Sequence, residues 1–340
     1  MPCRVIVMFL LLVSAPATLA AESARSWALF ADNDLFSPSP TDRDYTGGSG
    51  LSYSGPELEG GWNLPRRFLE GLNRLMFDGA LDPDHSSGTS FEIGTYAFTP
   101  DDIERPDIVA DDRPYSSLVY ISASQSYQQP GSRNGWSTSL TLGALGLDLF
   151  ESGQNAIHPV LGSRDANGWT HQISDGGEAT LRYSVAYHDY LPTRSPEARF
   201  KLTYFGSAGY LTEAGVALVF RDGLISSPDN RFNPELGAYG ERAQMTAAGN
   251  ARENYFWGGI ALKARLYNAF LEGQFRDSAH TISRSDLNPV IAEAWVGYTH
   301  SLSDSYKLSY FLRVQSPEIR TGRANRVVSW GGFVLSHTLN

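Results

Sequence analysis

Apolar and polar residues alternate one for one along several segments of the chain. The clearest segments are 137–144, 178–188, 256–266 and 307–316. In the third of these, Ile260 and Leu262 fall on one face of an extended chain, whereas Lys263 and Arg265 fall on the other. A strand of a soluble protein is typically about 5–6 residues long, but a strand that crosses a membrane needs about 9–11. The pattern therefore predicts membrane-spanning strands with one face toward lipid and a polar face toward the interior of a barrel.

Twelve strands are predicted when weaker segments are included, and an even number is expected of a bacterial single-chain barrel. The predicted strands are 26–34, 46–55, 88–98, 115–126, 136–147, 178–190, 199–209, 212–221, 254–268, 289–300, 306–315 and 327–338. The predicted fold class is all-β, a transmembrane antiparallel β-barrel of 12 strands with short helices in its connections.

Two stretches interrupt the alternation. Pro65 suits a first helical turn, and apolar residues from Phe68 to Met76 recur at helical spacing. Residues 62–78 are therefore predicted to form a short amphipathic helix that plugs or flanks one mouth of the barrel. The polar stretch 222–252 has little pattern and is predicted to be a long connection.

The N-terminal residues predict export. Residues 1–21 combine Arg4 with an apolar run and then small residues, as a secretory signal peptide does, and 22–340 would then form a single barrel domain. The only cysteine is Cys3, so we expect no disulfide and no cysteine-bound metal in the mature chain.

Composition narrows the class further. The net charge is −10 and there is no basic cluster, which argues against nucleic acid as a partner. No apolar run after the predicted signal is long enough for a membrane helix. A soluble periplasmic β-protein and an outer-membrane barrel are left, and the strand lengths favour the barrel. Because a closed barrel has no free edges, we expect a monomer in the bacterial outer membrane.

Side chains that can carry out chemistry gather in the odd-numbered connections. The first connection carries or adjoins Asn33, Asp34, Asp42, Arg43 and Thr46, the second carries Asp101, Asp102, Asp111, Asp112 and Arg113, and the third carries Gln154, Asn155 and His158. If both termini lie in the periplasm, all three connections converge on the barrel end that faces the lipopolysaccharide of the outer leaflet.

These residue types suit ester hydrolysis without a serine nucleophile. A histidine can activate water as a general base, and a calcium ion bound by carboxylates and amides can polarise an ester carbonyl. The chain has no Gly-x-Ser-x-Gly elbow and no HExxH zinc motif. Taken singly, the acids are also typical of solvated strand ends and turns, and His158 is also typical of a surface histidine. His171, His188 and His300 are predicted to be structural.

Together these pieces resemble the lipid A 3′-O-deacylase family of outer-membrane barrels. The motifs that carry the resemblance are Asn33-Asp34-Leu35-Phe36, Asp42-Arg43-Asp44-Tyr45-Thr46-Gly47-Gly48, Tyr96-Ala97-Phe98-Thr99-Pro100, Asp111-Asp112-Arg113-Pro114-Tyr115, Gly153-Gln154-Asn155-Ala156-Ile157-His158 and Phe270-Leu271-Glu272-Gly273. They follow the family order along most of the chain. The resemblance implies a barrel that uses calcium to hydrolyse the ester-linked 3′ acyloxyacyl group of lipid A.

The resemblance also implies roles for individual residues. His158 matches the catalytic histidine that activates water. Asn33 and Asp34 match the polar pair at the metal and substrate site, which makes Asp34 the candidate calcium ligand. Thr46 matches a site hydroxyl or backbone position on the second strand. The implied substrate or support residues are Arg43, Asp112, Arg113, Gln154 and Asn155, with Asp32 and Asp42 as further supports.

Two departures from the family pattern and two other functions stay open. The family's lysine in the second outer connection is absent, and Arg105 or Arg113 is the nearest substitute. The acid that follows the histidine is replaced by Arg164, with Asp165 one place on. The alternatives are a calcium-dependent outer-membrane phospholipase and a non-enzymatic barrel, either a channel or a structural protein, whose loop acids bind cations between lipopolysaccharide molecules.

Overall fold

A computed structural model describes most of the chain beyond the predicted signal peptide. The described residues are 25–38, 43–55, 58, 64–78, 81, 86–128, 131–151, 154–155, 165–195, 197–245 and 251–339. Four sequence predictions lie outside them: the signal peptide at 1–21, the support residue Asp42, the catalytic residue His158, and Arg164.

Twelve antiparallel strands form a closed barrel, as predicted, and each strand pairs with its neighbours in sequence. The strands are β1 (Arg25–Asn33), β2 (Asp44–Ser54), β3 (Ser86–Thr99), β4 (Ser116–Tyr127), β5 (Asn134–Leu145), β6 (Glu178–Leu191), β7 (Ala198–Gly209), β8 (Leu211–Leu224), β9 (Asn254–Asn268), β10 (Val290–Ser301), β11 (Tyr306–Gln315) and β12 (Val328–Leu339). β1 also pairs with β12, from Arg25↔Leu339 to Asn33↔Gly331, and this pairing closes the barrel. The strand ends differ from the predicted ones by at most three residues.

Helices occupy parts of the connections. Two α-helices lie wholly within the described residues, α1 (Leu64–Phe77) and α2 (Ala269–Glu272), residues 150–151 and 154–155 are also helical, and 3-10 turns include Asp34–Phe36, Trp169–His171, Pro234–Leu236 and Arg242–Met245. In the described part of the chain, no helix combines the length and apolar character needed to cross a bilayer.

The alternation of side chains along the strands has the predicted sense. Leu262 and Leu266 of β9 are exposed on the outer wall, and Lys263 and Arg265 are buried in the lumen. Arg265 pairs there with Glu213 at 2.8 Å. Because charged groups leave water at a high cost unless they are paired, such ion pairs allow a narrow barrel to fill its interior with polar side chains.

Residues 225–245, which we call the plug, fold back inside the barrel. They follow β8 at the end where β1 begins and β12 ends, which we call the terminal end; the opposite end is the loop end. Glu235 of the plug pairs with Lys201 at 2.9 Å, and Glu241 pairs with Arg182 at 2.9 Å. The prediction of a patternless connection over 222–252 missed this, because residues that bury themselves by ion pairing leave no apolar period in the sequence.

Helix α1 confirms the predicted helix but lies on the outer wall, so it does not plug the mouth. Leu69 is buried against Ala123 and Leu140, which occupy outward-facing positions of β4 and β5. The lumen-facing positions of β5 alternate with these and include Ser139 and Thr141. The helix therefore covers wall that would otherwise face lipid.

Candidate active site

Six connections lie at the loop end. The fourth is the single residue Tyr210, and the described parts of the other five belong to the first loop (34–43), the second (100–115), the third (146–177), the fifth (269–289) and the sixth (316–327). Asn33, the last residue of β1, joins the first loop to β2. Its Oδ1 accepts a hydrogen bond from the Leu35 N–H at 2.6 Å, and its Nδ2 donates to the Thr46 carbonyl. Only an amide can accept at one atom and donate at the other in this way, so an aspartate would not serve here.

Thr46 lies at a bulge in the pairing of β2 with β3, between Tyr45 and Gly47. Its hydroxyl is buried and shares a hydrogen bond of 2.6 Å with the Thr99 hydroxyl. A Cβ at Gly47 would stand 3.2 Å from Asn33 Nδ2, so the glycine lets β1 and β2 approach closely. Thr46 thus contributes a carbonyl to the asparagine contact and a hydroxyl to the bond with β3.

Asp34 fixes the start of the first loop to its end. The side chain is buried, and its Oδ2 accepts the backbone N–H of Arg43 at 2.6 Å. The half-exposed guanidinium of Arg43 reaches on to Asp101 in the second loop, at 3.0 Å. The Asp101 N–H in turn donates to Asp112 at 3.0 Å, so these four residues form one chain of contacts across two loops.

A buried ion network locks the second and sixth loops together. Arg326 holds both oxygens of Asp44, at 2.7 and 2.9 Å, and also binds Asp112 at 2.9 Å. Arg113 is buried between Asp44 at 3.7 Å and Glu318 at 3.8 Å. Sequence reasoning missed Arg326 and Glu318 because the sixth loop carries no motif. Their spacing along the chain gives no hint of their partners.

Arg113 supports the loops and has little access to solvent. It exposes 2% of its surface, and its guanidinium lies 4.6 Å from the ring centroid of Phe98. Phe98 also contacts Tyr239 of the plug, with ring centroids 5.4 Å apart. Arg105, the other proposed substitute for the family lysine, is exposed. The second loop thus rests on an aromatic layer that the plug completes.

A second ion pair between the loops, Arg323 with Asp111, is exposed to solvent. Arg323 of the sixth loop binds both oxygens of Asp111, at 2.9 and 3.0 Å. The hydrogen bonds from this guanidinium hold the pKa of the Asp111 carboxyl below its ordinary value.

Gln154 and Asn155 hold together two parts of the third loop, and Trp169 packs that loop against the second. Gln154 Oε1 accepts the indole N–H of Trp169 at 2.8 Å. Asn155 exchanges two hydrogen bonds with the Ala166 backbone, at 2.9 and 3.2 Å. Trp169 packs on Tyr115 with ring centroids 4.9 Å apart, just after the second loop's Arg113-Pro114. These amides therefore support the segment on either side of His158.

The plug braces the floor of the site. Arg242 is buried and donates to Asp32 Oδ1 at 2.8 Å and to the Tyr45 hydroxyl at 2.7 Å. A Cβ at Gly48 would lie 2.6 Å from Asp32 Oδ1, so a glycine is required for this approach. Asp32 directly precedes Asn33, and thus the support role predicted for Asp32 has a structural partner that the sequence did not reveal.

One further histidine lies near this network. His280 of the fifth loop has its Nε2 2.9 Å from the Asp112 carbonyl, to which it donates. His188, by contrast, is buried in β6 between the hydroxyls of Ser137 and Thr203, each 3.0 Å away, as its structural role requires.

The acids offer few ligands for a cation. Among the described residues, no group of three or more histidine, cysteine or acidic side chains could hold a metal. Arginines already bind Asp44, Asp101 and Asp112, so a cation would have to displace them there. Asp34 fits a site with a single protein carboxylate, in which carbonyl oxygens and water supply the other ligands of calcium.

Comparison with known proteins finds a matching family model and similar barrels. A family model described as "Outer membrane protein LpxR" matches residues 5–339. Among solved structures, LpxR from Salmonella typhimurium superposes with a TM-score of 0.69 at 18% identity, over 92% of this chain and all of that one. An outer membrane channel from Pseudomonas putida F1 gives a TM-score of 0.46 at 9% identity, over 94% of this chain and 96% of that one. No curated protein matched in a sequence search.

Proposed function

The chain belongs to the LpxR family of outer-membrane lipid A deacylases, and from that membership we propose that it hydrolyses the ester that carries the 3′ acyloxyacyl group of lipid A. The family match over residues 5–339 carries this proposal. The contact of Asn33 with Thr46 where β1 ends and β2 begins, next to Asp34 and its bond to Arg43, supports it, because Asn33, Asp34 and Thr46 match the family site.

In the proposed reaction His158 acts as the general base. Its neutral imidazole takes a proton from a water molecule, whose oxygen attacks the ester carbonyl carbon. The acyl C–O bond then breaks, and the proton passes to the leaving sugar oxygen. The products are a free carboxylic acid and a 3′ hydroxyl. Asn33, Gln154 and Asn155 would hold the two strands and the third loop in position around this step.

Calcium is part of the proposal, with Asp34 as its carboxylate ligand. When bound, it would polarise the ester carbonyl and stabilise the oxyanion that forms on water attack. Asp34 is held in one orientation by the Arg43 N–H at 2.6 Å, as a ligand that must not swing away would be.

The filled lumen supports an enzyme over a channel. Plug residues pair with wall residues of β6 and β7 across the interior, through Glu241–Arg182 and Glu235–Lys201. A conducting pore would require these buried ion pairs to break.

Mass spectrometry of lipid A incubated with the purified full-length protein and calcium tests the proposal. We expect the loss of one acyloxyacyl unit, with no loss for His158→Ala or after chelation of calcium. His171→Ala, in the same loop, is the matched control and should keep full activity. An unchanged lipid A spectrum with the wild type would refute the proposal, and cleavage of phospholipid alone would favour the phospholipase. If His280→Ala is inactive and His158→Ala is active, the base is His280.

A further inference from the structure

The buried face of α1 is fixed by a polar anchor. Asn73 donates through Nδ2 to the hydroxyls of Tyr127 and Thr138, at 3.0 and 2.9 Å, and its Oδ1 accepts from the Tyr183 hydroxyl at 2.8 Å. These partners lie on β4, β5 and β6, on the outer wall. Because buried polar groups require their partners, the anchor sets the rotation of the helix about its own axis.

That rotation turns the apolar stripe of the helix away from the barrel. Phe68, Leu75 and Met76 expose 62%, 79% and 63% of their surfaces. In the sequence, the helical spacing of these three residues is typical of a face that packs against the rest of the protein. A contiguous outward apolar stripe is unfavourable in water and favourable in hydrocarbon, since burying apolar surface is worth about 25 cal/mol per Å². This face therefore needs an apolar cover, which the acyl chains of a bilayer around the outer wall would supply.

Two arginines flank the stripe. Arg67 and Arg74 are exposed and stand seven residues apart, beside Phe68 and Leu75. Arg66 is already paired with Glu70 at 2.7 Å, and Asp78 follows just past the helix end. The chain as a whole carries a charge of −10, so composition does not explain this basic edge.

Aromatic side chains give the depth of the helix. Phe77, its last residue, contacts Trp136 near the start of β5, with ring centroids 5.6 Å apart, and Trp136 contacts Tyr187 at 4.9 Å. Tryptophan and tyrosine concentrate where a bilayer meets water. The end of α1 at Phe77 therefore lies close to headgroup level at the terminal end. Arg74, and Arg67 two turns before it, can extend toward the phosphates while their stems stay in the apolar surroundings of Leu75 and Met76.

We propose that the outward face of α1 is a docking surface for anionic phospholipid in the leaflet around the terminal end of the barrel. Phe68, Leu75 and Met76 pack among the acyl chains, and Arg67 and Arg74 bind headgroup phosphates. An apolar stripe edged by arginine is the pattern by which helices lie in a membrane interface and select anionic lipid. The surface is distinct from the loop end and does not depend on the proposed reaction.

Lipid retention in native mass spectrometry tests the charge selection. The full-length protein in detergent is titrated with phosphatidylglycerol or phosphatidylethanolamine, as wild type, as Arg67→Gln/Arg74→Gln, and as Arg194→Gln, an exposed arginine in the β6–β7 turn at the same end. A single arginine near an anionic surface favours binding about fivefold, so the double variant should lose roughly 25-fold in preference for phosphatidylglycerol. Equal retention of both lipids by the wild type would refute the proposal, as would an equal loss in Arg194→Gln.

Spin-label depth tests the apolar contact independently. Leu75→Cys and Asp78→Cys are labelled in a Cys3→Ser background and reconstituted in vesicles of phosphatidylglycerol and phosphatidylethanolamine. Leu262→Cys, on the lipid-facing wall of β9, is the reference for a buried label. We expect the label at 75 to be accessible to oxygen and shielded from a water-soluble nickel complex, as at 262, and the label at 78 to be open to nickel. A nickel-accessible label at 75 overturns the assignment.

Discussion

Replacement of Arg242 by methionine should destabilise the barrel by about 3 kcal/mol, the lower end of the range for breaking a buried ion pair. Arg242 holds Asp32 at 2.8 Å and lies 4.1 Å from the ring centroid of Tyr96. Without Arg242, the buried Asp32 carboxylate keeps one hydrogen-bond partner among the described side chains, the Tyr45 hydroxyl at 2.9 Å. Because this bond survives, we expect a loss at the lower end of the range. A loss of about 3 kcal/mol corresponds to roughly a 150-fold change in the unfolding equilibrium.

Urea unfolding of the protein in phospholipid vesicles, followed by the fluorescence of its seven tryptophans, gives the free energy. The double variant Asp32→Asn/Arg242→Met removes both charges, so it should recover at least half of the loss. Arg194→Gln, exposed at the terminal end, should remain within about 0.5 kcal/mol of the wild type. The reasoning fails if Arg242→Met unfolds like the wild type, or if the double variant is as unstable as the sum of its single changes.

Three further expectations follow from the loops and from α1. Arg326→Gln leaves Asp44 buried without its two short contacts, so the sixth loop should become sensitive to protease and lipid A cleavage should fall at least tenfold, while the heat-induced gel shift still shows an intact barrel. Asn73→Leu removes the amide from three outer-wall hydroxyls, of which that of Tyr127 keeps Gln125 as a partner, and should lower the unfolding free energy by about 2 kcal/mol; an unchanged value would mean that the anchor is dispensable. The pKa of Asp111 is lowered by Arg323, so this contact favours the folded loops above the ordinary aspartate pKa and is lost as the pH falls through the lowered one. In a carbon-13 titration, Arg323→Gln should return the Asp111 midpoint to the ordinary value, and an unmoved midpoint would contradict the assigned cause.

The strands could be predicted from the sequence because a barrel wall separates lipid from a polar lumen at every residue. Lys263 and Arg265 alternate with Leu262 and Leu266, and that alternation fixes both the strand and the direction of its faces. Helix α1 shows the limit of such reasoning. A period of apolar residues from Phe68 to Met76 identifies a helix, but it does not distinguish a face that meets protein from one that meets lipid.

The candidate site was predictable where its residues adjoin strand ends and less so where distant loops supply them. Asn33 and Thr46 lie at the ends of β1 and β2, so their proximity follows from the pairing of two consecutive strands. Arg326 and Arg242 come from the last loop and from the plug, and the aspartates that they bind stand more than 200 residues earlier in the chain. Such residues come together only in the closed barrel, so their spacing along the chain does not predict their contacts.

The pairing of β1 with β12 determines the stage of export at which the site is assembled. Asn33, the first of the residues proposed for the site, lies on the first strand to leave the ribosome, whereas Gly331, its partner on β12, and Arg326, just before β12, are among the last residues made. A chain in transit between the two membranes therefore contains every reactive group but not the arrangement that makes them a hydrolase. If the proposed reaction requires the closed site, we expect activity only after β1 pairs with β12 in the outer membrane, so that lipids met during export are spared.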